Sequence, residues 1–301
     1  MTHSQQPQQQ QPGPGAAGDR TIASPSGHTR LYAHIGDPIE QVQAPMLMNP
    51  LFRDAGMDAV MVAMQVGAAD LAQVVQGLQR IGNLDGILVT VPHKFNVCEH
   101  ADRRSVTVEL AGAANALRRE ADGTWFAENF DGLGLVAGLR SQGHEPRGMR
   151  VALAGAGGAG VSIAAALVEA GVSRLTVSDV VMDKACRLAD RLNAYRAGVA
   201  VAGNWSASAA DPVRGEADLL INATALGMGP DDVLPFDVQG LRPQAIVADI
   251  VMKPRQTRLL QAASLAGLRT HEGMHMLAPQ LPMYLDFFGA RAARSHAQGA
   301  P

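Results

Sequence analysis

The chain has 301 residues, 47% hydrophobic and 18% charged, with a formal net charge of −3. That length suits about two domains, and the faintly acidic balance excludes the basic footprint of a nucleic-acid or anionic-membrane binder. Two cysteines far apart in sequence, Cys98 and Cys186, make neither a disulfide framework nor a metal-ligand spacing; they suit a reducing cytoplasm, and no apolar run reaches the ~20 residues of a membrane span.

Residues 1–28 stand apart. Gln5 to Gly18 is a tract of Gln, Pro and Gly without apolar periodicity. It cannot bury enough surface to offset its ordering entropy, so a disordered tail is expected, and it lacks the apolar centre of a signal peptide. Leu31 to Ile35 then reads as a strand. Pro45 opens a helix to Gly56, with Pro50 awkward inside it. Ala59 to Val66 is a second strand, Leu71 to Ile81 an amphipathic helix and Ile87 to Val91 a third strand. Pro92 then opens a helix toward Asp102. This alternation predicts a mostly parallel sheet covered by helices. Ala114 to Arg118 and Thr124 to Glu128 flank Asp122-Gly123, a hairpin signal. A helix is expected from Asp131-Gly132 to Ser141, then a loop over 142–146.

Alternation resumes with strands at Arg150–Ala154, Arg174–Ser178, Val199–Ala202, Asp218–Asn222 and Ala245–Ile250. Helices are expected after the glycine turn, at Asp183 and at Thr257. The last apolar stretch, from about Met274 to Ala293, is expected to pack back on the first domain, leaving a cleft between two domains for a cofactor and a substrate.

The most specific feature is Ala154-Gly155-Ala156-Gly157-Gly158-Ala159-Gly160, placed between a strand and a helix. Glycines let backbone N–H groups approach a pyrophosphate, and the helix N-terminus favours its charge. Asp179 ends the next strand at about the 20-residue offset expected of an acid that accepts from a ribose diol. A dinucleotide site is therefore predicted. His271 and His275 are four apart without a HExxH frame, and no zinc spacing occurs, so no metal is expected.

Several segments in order resemble the shikimate/quinate dehydrogenase family. They are Gly36-Asp37-Pro38-Ile39 with Ala44-Pro45, Val89-Thr90-Val91-Pro92-His93-Lys94, Gly112-Ala113-Ala114-Asn115-Ala116 and Asn129-Phe130-Asp131-Gly132. The glycine turn, Asn222-Ala223-Thr224 with Gly227-Met228, Asp249 to Pro254 with Thr257, and Gly273, Met276, Leu277 and Gln280 follow. The resemblance spans about residues 31–290. It implies an α/β protein of two domains. A substrate domain over 29–130 is completed by about 274–293, and a Rossmann domain covers 131–273. It also implies reversible oxidation of a ring hydroxyl of shikimate, quinate or a related cyclic alcohol.

By that resemblance Lys94 and Asp131 are the catalytic pair. Each is expected in the first turn of a helix, where the dipole disfavours the lysine's charge and favours the carboxylate; Asp131 could equally be a plain N-cap. Thr90, Asn115 and Gln280 match positions that bind ring hydroxyls. Gly155, Ala156, Gly157, Gly158, Ala159, Asp179, Asn222, Ala223, Thr224, Ile250, Gly273 and Met276 match cofactor-side positions. Where NADP-using members carry Asn-Arg-Thr, this chain has Ser178-Asp179-Val180. A carboxylate there repels a 2′-phosphate and accepts from a free hydroxyl, so NAD is expected over NADP. The partner is then a small cyclic polyol or hydroxy acid, with no nucleic acid or membrane involved, and the chain a monomer or homodimer.

The family's two carboxylate-binding serines are replaced by Val42 and Ala44. Each hydrogen bond lost to a charged group is worth about 1.5–3 kcal/mol, so shikimate loses affinity unless other groups hold its carboxylate. Leu88, Phe130 and Met252 replace Asn, Thr and Tyr in the same sense. Two rivals stand beside this reading. One is an authentic shikimate 3-dehydrogenase that holds the carboxylate by other groups. The other is a dinucleotide-binding regulatory protein without turnover.

Overall fold

The computed structural model describes residues 24–204 and 212–289; residues 1–23 of the expected tail and 290–293 of the expected last helix lie outside them. The first half runs β1 (Arg30–Gly36), α1 (Ala44–Asp54), β2 (Ala59–Gln65), α2 (Leu71–Gln79), β3 (Leu84–Val89), a 3-10 helix (Asn96–His100), β4 (Arg103–Arg104), α3 (Val106–Ala111), β5 (Ala116–Arg119) and β6 (Trp125–Glu128). The second half runs α4 (Phe130–Ser141), β7 (Arg150–Ala154), α5 (Gly158–Glu169), β8 (Arg174–Ser178), α6 (Met182–Tyr195), β9 (Ala200–Ala202), α7 (Pro212–Glu216), β10 (Leu219–Asn222), β11 (Ile246–Asp249), α8 (Arg258–Leu265), β12 (Arg269–His271) and α9 (Gly273–Phe287).

The strands form two six-stranded sheets. In the first, ordered β2-β1-β3-β5-β6-β4, β1 pairs in parallel with β2 and β3, and the β5–β6 hairpin adds antiparallel to β3. Side chains on β1 alternate between faces. Ala33 and Ile35 join one core cluster with Val89 and Leu117; Tyr32 joins another with Phe52, Leu88 and Phe288. The second sheet is parallel throughout, ordered β12-β11-β10-β7-β8-β9. Its strand order reverses between β7 and β10, the switch point where open α/β sheets bind ligands at the carboxyl ends of their strands.

Two helices connect the sheets. α4 packs between α5 and α9, and α9 lays Tyr284 and Phe287 into the first sheet's aromatic cluster beside Phe130. Phe130 meets both rings edge-on, with centroids 4.9 and 5.2 Å away. The expected return of the last helix to the first sheet is observed.

Three local expectations are corrected. β3 starts at Leu84, three residues before the predicted Ile87, because Leu84 is 1% exposed and pairs with Leu31. The stretch after Pro92 is a turn and a short 3-10 helix rather than an α-helix. The cap of α4 is Asn129, whose Oδ1 accepts from the Asp131 N–H at 3.2 Å, so Asp131 is free of the N-cap role. The sequence also left out β4, β12, α3 and α7, elements of two to six residues that are too short to show a period.

Candidate active site

The turn after β3 places Lys94 without a helix. His93 is buried, and its Nε2 lies 2.6 Å from the Val66 carbonyl; a carbonyl only accepts, so Nε2 carries the proton. The Lys94 carbonyl accepts from the Ala114 N–H at 2.8 Å. Lys94 lies in no helix of its own; hydrogen bonds to Ala114 and, through the His93 ring, to Val66 hold the turn that carries it. Asp131 sits in the first turn of α4. Its Oδ2 accepts from Lys94 Nζ at 2.5 Å, with the two side chains 13% and 9% exposed. A buried pair of this kind is held by geometry, and removing either partner strands a charge in a poorly solvated place.

The pair extends into a network. Asn115 Nδ2 donates to Asp131 Oδ1 at 3.0 Å and to the Tyr284 hydroxyl at 3.1 Å, while its Oδ1 accepts from the Phe130 N–H at 2.9 Å. Tyr284 donates to Gln280 Oε1 at 2.9 Å. Burial, aided by the Asp131 charge, pushes the Tyr284 phenol well above its ordinary range, so it stays protonated and the direction of the chain is set. Asn115 and Gln280, expected as separate ring-hydroxyl ligands, are joined through a tyrosine that the sequence hid in an apolar stretch.

These groups line one cavity of about 410 Å³, with Thr90, Thr224, Ile250 and Lys253 on its wall. Val42 and Ala44 also line it, together with Leu47, Leu88 and Met252, so the substituted serine positions face the same space. His34 on β1, not singled out by the sequence, lines it too. Burial, followed by the charge of Lys94, lowers the His34 pKa to about 4, and the imidazole is neutral at pH 7.

The nucleotide-side residues gather at the switch point. Gly155 has φ +104°, and a Cβ there would lie 2.7 Å from the Ala223 carbonyl oxygen, so the end of β7 closes on the turn after β10 only as glycine. A Cβ on Gly157 would meet nothing within 4 Å, leaving backbone open to a ligand at the start of α5. On Gly158 it would sit 3.1 Å from Lys94 Cδ, which puts the glycine turn against the lysine stem. Asp179 accepts from the Ala156 N–H at 2.8 Å and the Val181 N–H at 2.9 Å; each oxygen keeps a lone pair for a further donor. Ala159 follows in the first turn of α5. A glycine cradle, a helix start and a carboxylate at the neighbouring strand end fit a dinucleotide.

Asn222, Gly273 and Met276 do not line the cavity among the described residues. Asn222 is fully buried, donating to the Leu226 carbonyl and Asp249 Oδ1, and its Oδ1 accepts from the Thr224 hydroxyl at 2.7 Å. It braces the turn carrying Ala223 and Thr224. A Cβ on Gly273 would come within 2.6 Å of the Val251 carbonyl oxygen, so α9 starts in close contact with the end of β11. Met276 is part of the core around α5. Gly155 to Ala159, Asp179 and Ala223 likewise lie outside the lining of that cavity. No helix among the described residues is long and apolar enough to cross a membrane.

Comparison with known proteins agrees with this fold. Residues 34–117 match the shikimate dehydrogenase substrate binding domain. Shikimate dehydrogenase (NADP(+)) of Rubrobacter xylanophilus is 37% identical over 255 residues, 84% of this chain and 88% of that protein. The crystal structure of shikimate 5-dehydrogenase from Listeria monocytogenes in complex with shikimate and NAD superposes with a TM-score of 0.79 at 30% identity, covering 86% of this chain and 91% of that one. Ligand-free 5-ketofructose reductase of Gluconobacter sp. strain CHM43 gives a TM-score of 0.79 at 29% identity, with 88% and 94% covered.

Proposed function

The chain belongs to the shikimate dehydrogenase family, and from that premise we propose an NAD(P)-dependent dehydrogenase acting on a CH–OH group in which Lys94 and Asp131 handle the hydroxyl proton. The substrate is shikimate, quinate or a related cyclic alcohol. The observation that carries this reading is the 2.5 Å Lys94–Asp131 pair on the cavity wall, backed by Gly158 of the nucleotide turn.

The nicotinamide cofactor, when bound, supplies the hydride acceptor or donor. In the reductive direction the Lys94 ammonium gives a proton to the ketone oxygen and is left as the neutral amine; in the oxidative direction that amine takes the hydroxyl proton and becomes the ammonium again. Asp131 holds Nζ toward the cavity and balances its charge. Asn115 fixes Asp131, Tyr284 fixes Asn115, and Gln280 and Thr90 present polar groups to the ring. The apolar wall of Leu88, Ile250 and Met252 keeps bulk water from the ion pair. Gly155, Ala156, Gly157, Gly158 and Ala159 seat the pyrophosphate, with Ala223, Thr224 and Ile250 on the nicotinamide side.

The name of the Rubrobacter relative specifies NADP(+) and so favours that cofactor, whereas the Listeria structure holds NAD. Local chemistry here supports NAD: Asp179 stands at the end of β8, and the side chain after it is the fully exposed Val180, which offers no cation to a 2′-phosphate. The test is steady-state cofactor reduction over shikimate, quinate and related cyclic polyols. At least a tenfold higher kcat/KM with NAD than with NADP is expected. An NADP preference would overturn the cofactor assignment, and no turnover with either would overturn the dehydrogenase reading.

A further inference from the structure

We propose that His34 is a substrate-recognition residue and that the preferred substrate is uncharged, with a hydroxyl or carbonyl oxygen in the place of shikimate's carboxylate. This rests on the dehydrogenase reading above. Four observations lead to it.

His34 occupies a strand position facing the cavity. Its neighbours on β1, Ala33 and Ile35, point into the opposite core cluster, and it pairs in register with Leu88 of β3. Both His34 and Leu88 line the cavity beside Lys94. Packing alone gives no reason for an imidazole there, since an aliphatic side chain would complete the same wall.

His34 is only 8% exposed, and its Nδ1 is sealed from solvent with no hydrogen-bond partner. Among the described residues, nothing pairs with Nε2 either. A buried N–H without an acceptor is rarer and costlier than an acceptor left idle. The proton therefore belongs on Nε2, the ring's remaining polar atom, and a ligand in the cavity supplies the missing acceptor.

The cavity is poor in charge for an acid. The serine positions are Val42 and Ala44, and Leu47, Leu88 and Met252 continue the apolar wall. Lys94 is already paired with Asp131. Lys253, which no carboxylate pairs among the described residues, is exposed, where an ion pair adds little.

A carboxylate taken out of water is held best by a desolvated countercharge. The Gln41 and Gln43 amides also line the cavity, Gln41 exposed and donating to the Pro38 carbonyl; with the His34 N–H these neutral groups match hydroxyl or carbonyl oxygens and supply no countercharge. The residue types therefore select against the acid while leaving the ring hydroxyl at Lys94 and Asp131 unaffected.

The experiment compares shikimate with the analogue that carries CH2OH in place of its carboxylate, in wild type, His34→Ala and His34→Asn. In wild type, kcat/KM for the carbinol should exceed that for shikimate at least tenfold. His34→Ala should raise KM for the carbinol at least tenfold with a smaller change in kcat, and His34→Asn, which keeps an N–H donor, should recover part of the loss. A wild-type preference for shikimate would overturn the proposal while leaving the dehydrogenase intact. An unchanged KM in His34→Ala would overturn the recognition role. Failure of both compounds, and of every other cyclic alcohol, to reduce cofactor would instead overturn the dehydrogenase reading itself.

Discussion

Asn115 spends every polar atom it has. It holds Asp131, receives the backbone of Phe130 and reaches Tyr284, so the carboxylate proposed for catalysis is positioned by a neutral amide whose own orientation is set by a phenol. Tyr284→Phe leaves Gln280 Oε1 without its donor and one Asn115 N–H unmade. An unmet buried group costs about 1–3 kcal/mol, so kcat/KM should fall about tenfold or more, with the fold retained; steady-state kinetics and circular dichroism check this. Wild-type rates would separate Tyr284 from the site. The lysine and the aspartate were singled out because each stands in a segment that resembles the shikimate/quinate dehydrogenase family. Tyr284 was not, because an aromatic among Leu281, Met283 and Phe287 reads as core. His34 was not, because one polar residue in Leu31–Ile35 does not interrupt a strand. The α-helix expected at Lys94 failed for a local reason: the Lys94 carbonyl accepts from Ala114 and the His93 ring bonds to Val66, and only a short 3-10 helix follows.

α4 is the element on which the site turns. Gly132, Gly134 and Gly138 each cost a helix about 1 kcal/mol relative to alanine, and the structure shows what they permit. A Cβ on Gly132 would collide with the Ser162 carbonyl of α5, and one on Gly134 or Gly138 with the Met276 or His275 carbonyl of α9. Close approach of three backbones fixes Asp131 relative to Gln280 and Tyr284. Gly138→Ala should push α9 away and cost at least 1–3 kcal/mol by overpacking, read as a lower midpoint in urea; an unchanged midpoint would contradict the packing. The start of α9 also carries a pH dependence. His271 of β12 is 1% exposed, has no hydrogen-bond partner on either ring nitrogen and lies 4.9 Å from the His275 ring. Burial, aided by His275 and His144, lowers its pKa to about 4. The unfolded chain binds this proton near 6.5 while the fold resists it until about 4, so stability should be full above pH 6.5, fall as the pH drops from 6.5 to 4, and level off below. The loss amounts to about 3 kcal/mol from this group. His34 acts in the same direction. Urea midpoints at several pH values, compared with His271→Phe, should show a flatter slope in the variant.

At the scale of the molecule, function depends on two sheets meeting at one cavity. The second sheet brings the glycine turn and Asp179 to the carboxyl ends of its strands, where its order reverses. The first brings Thr90 and Lys94 to the end of β3. Alternating strands and helices were readable because their apolar runs are long. The order in which strands pair was not readable from periodicity, which carries no information about neighbours, and β12 was missed because three residues show no period. The return of α9 was legible from its excess of apolar residues, which need a partner surface. The arrangement makes Lys94 the point where both halves meet, in contact with Asp131 of α4 and against Gly158 of α5. Lys94→Ala removes the proposed proton carrier and, of the nucleotide cradle, only the lysine stem's contact with Gly158. The account predicts that kcat of this variant falls about 100- to 10,000-fold while the cofactor Kd changes less than threefold. A kcat equal to that of the wild type would contradict it.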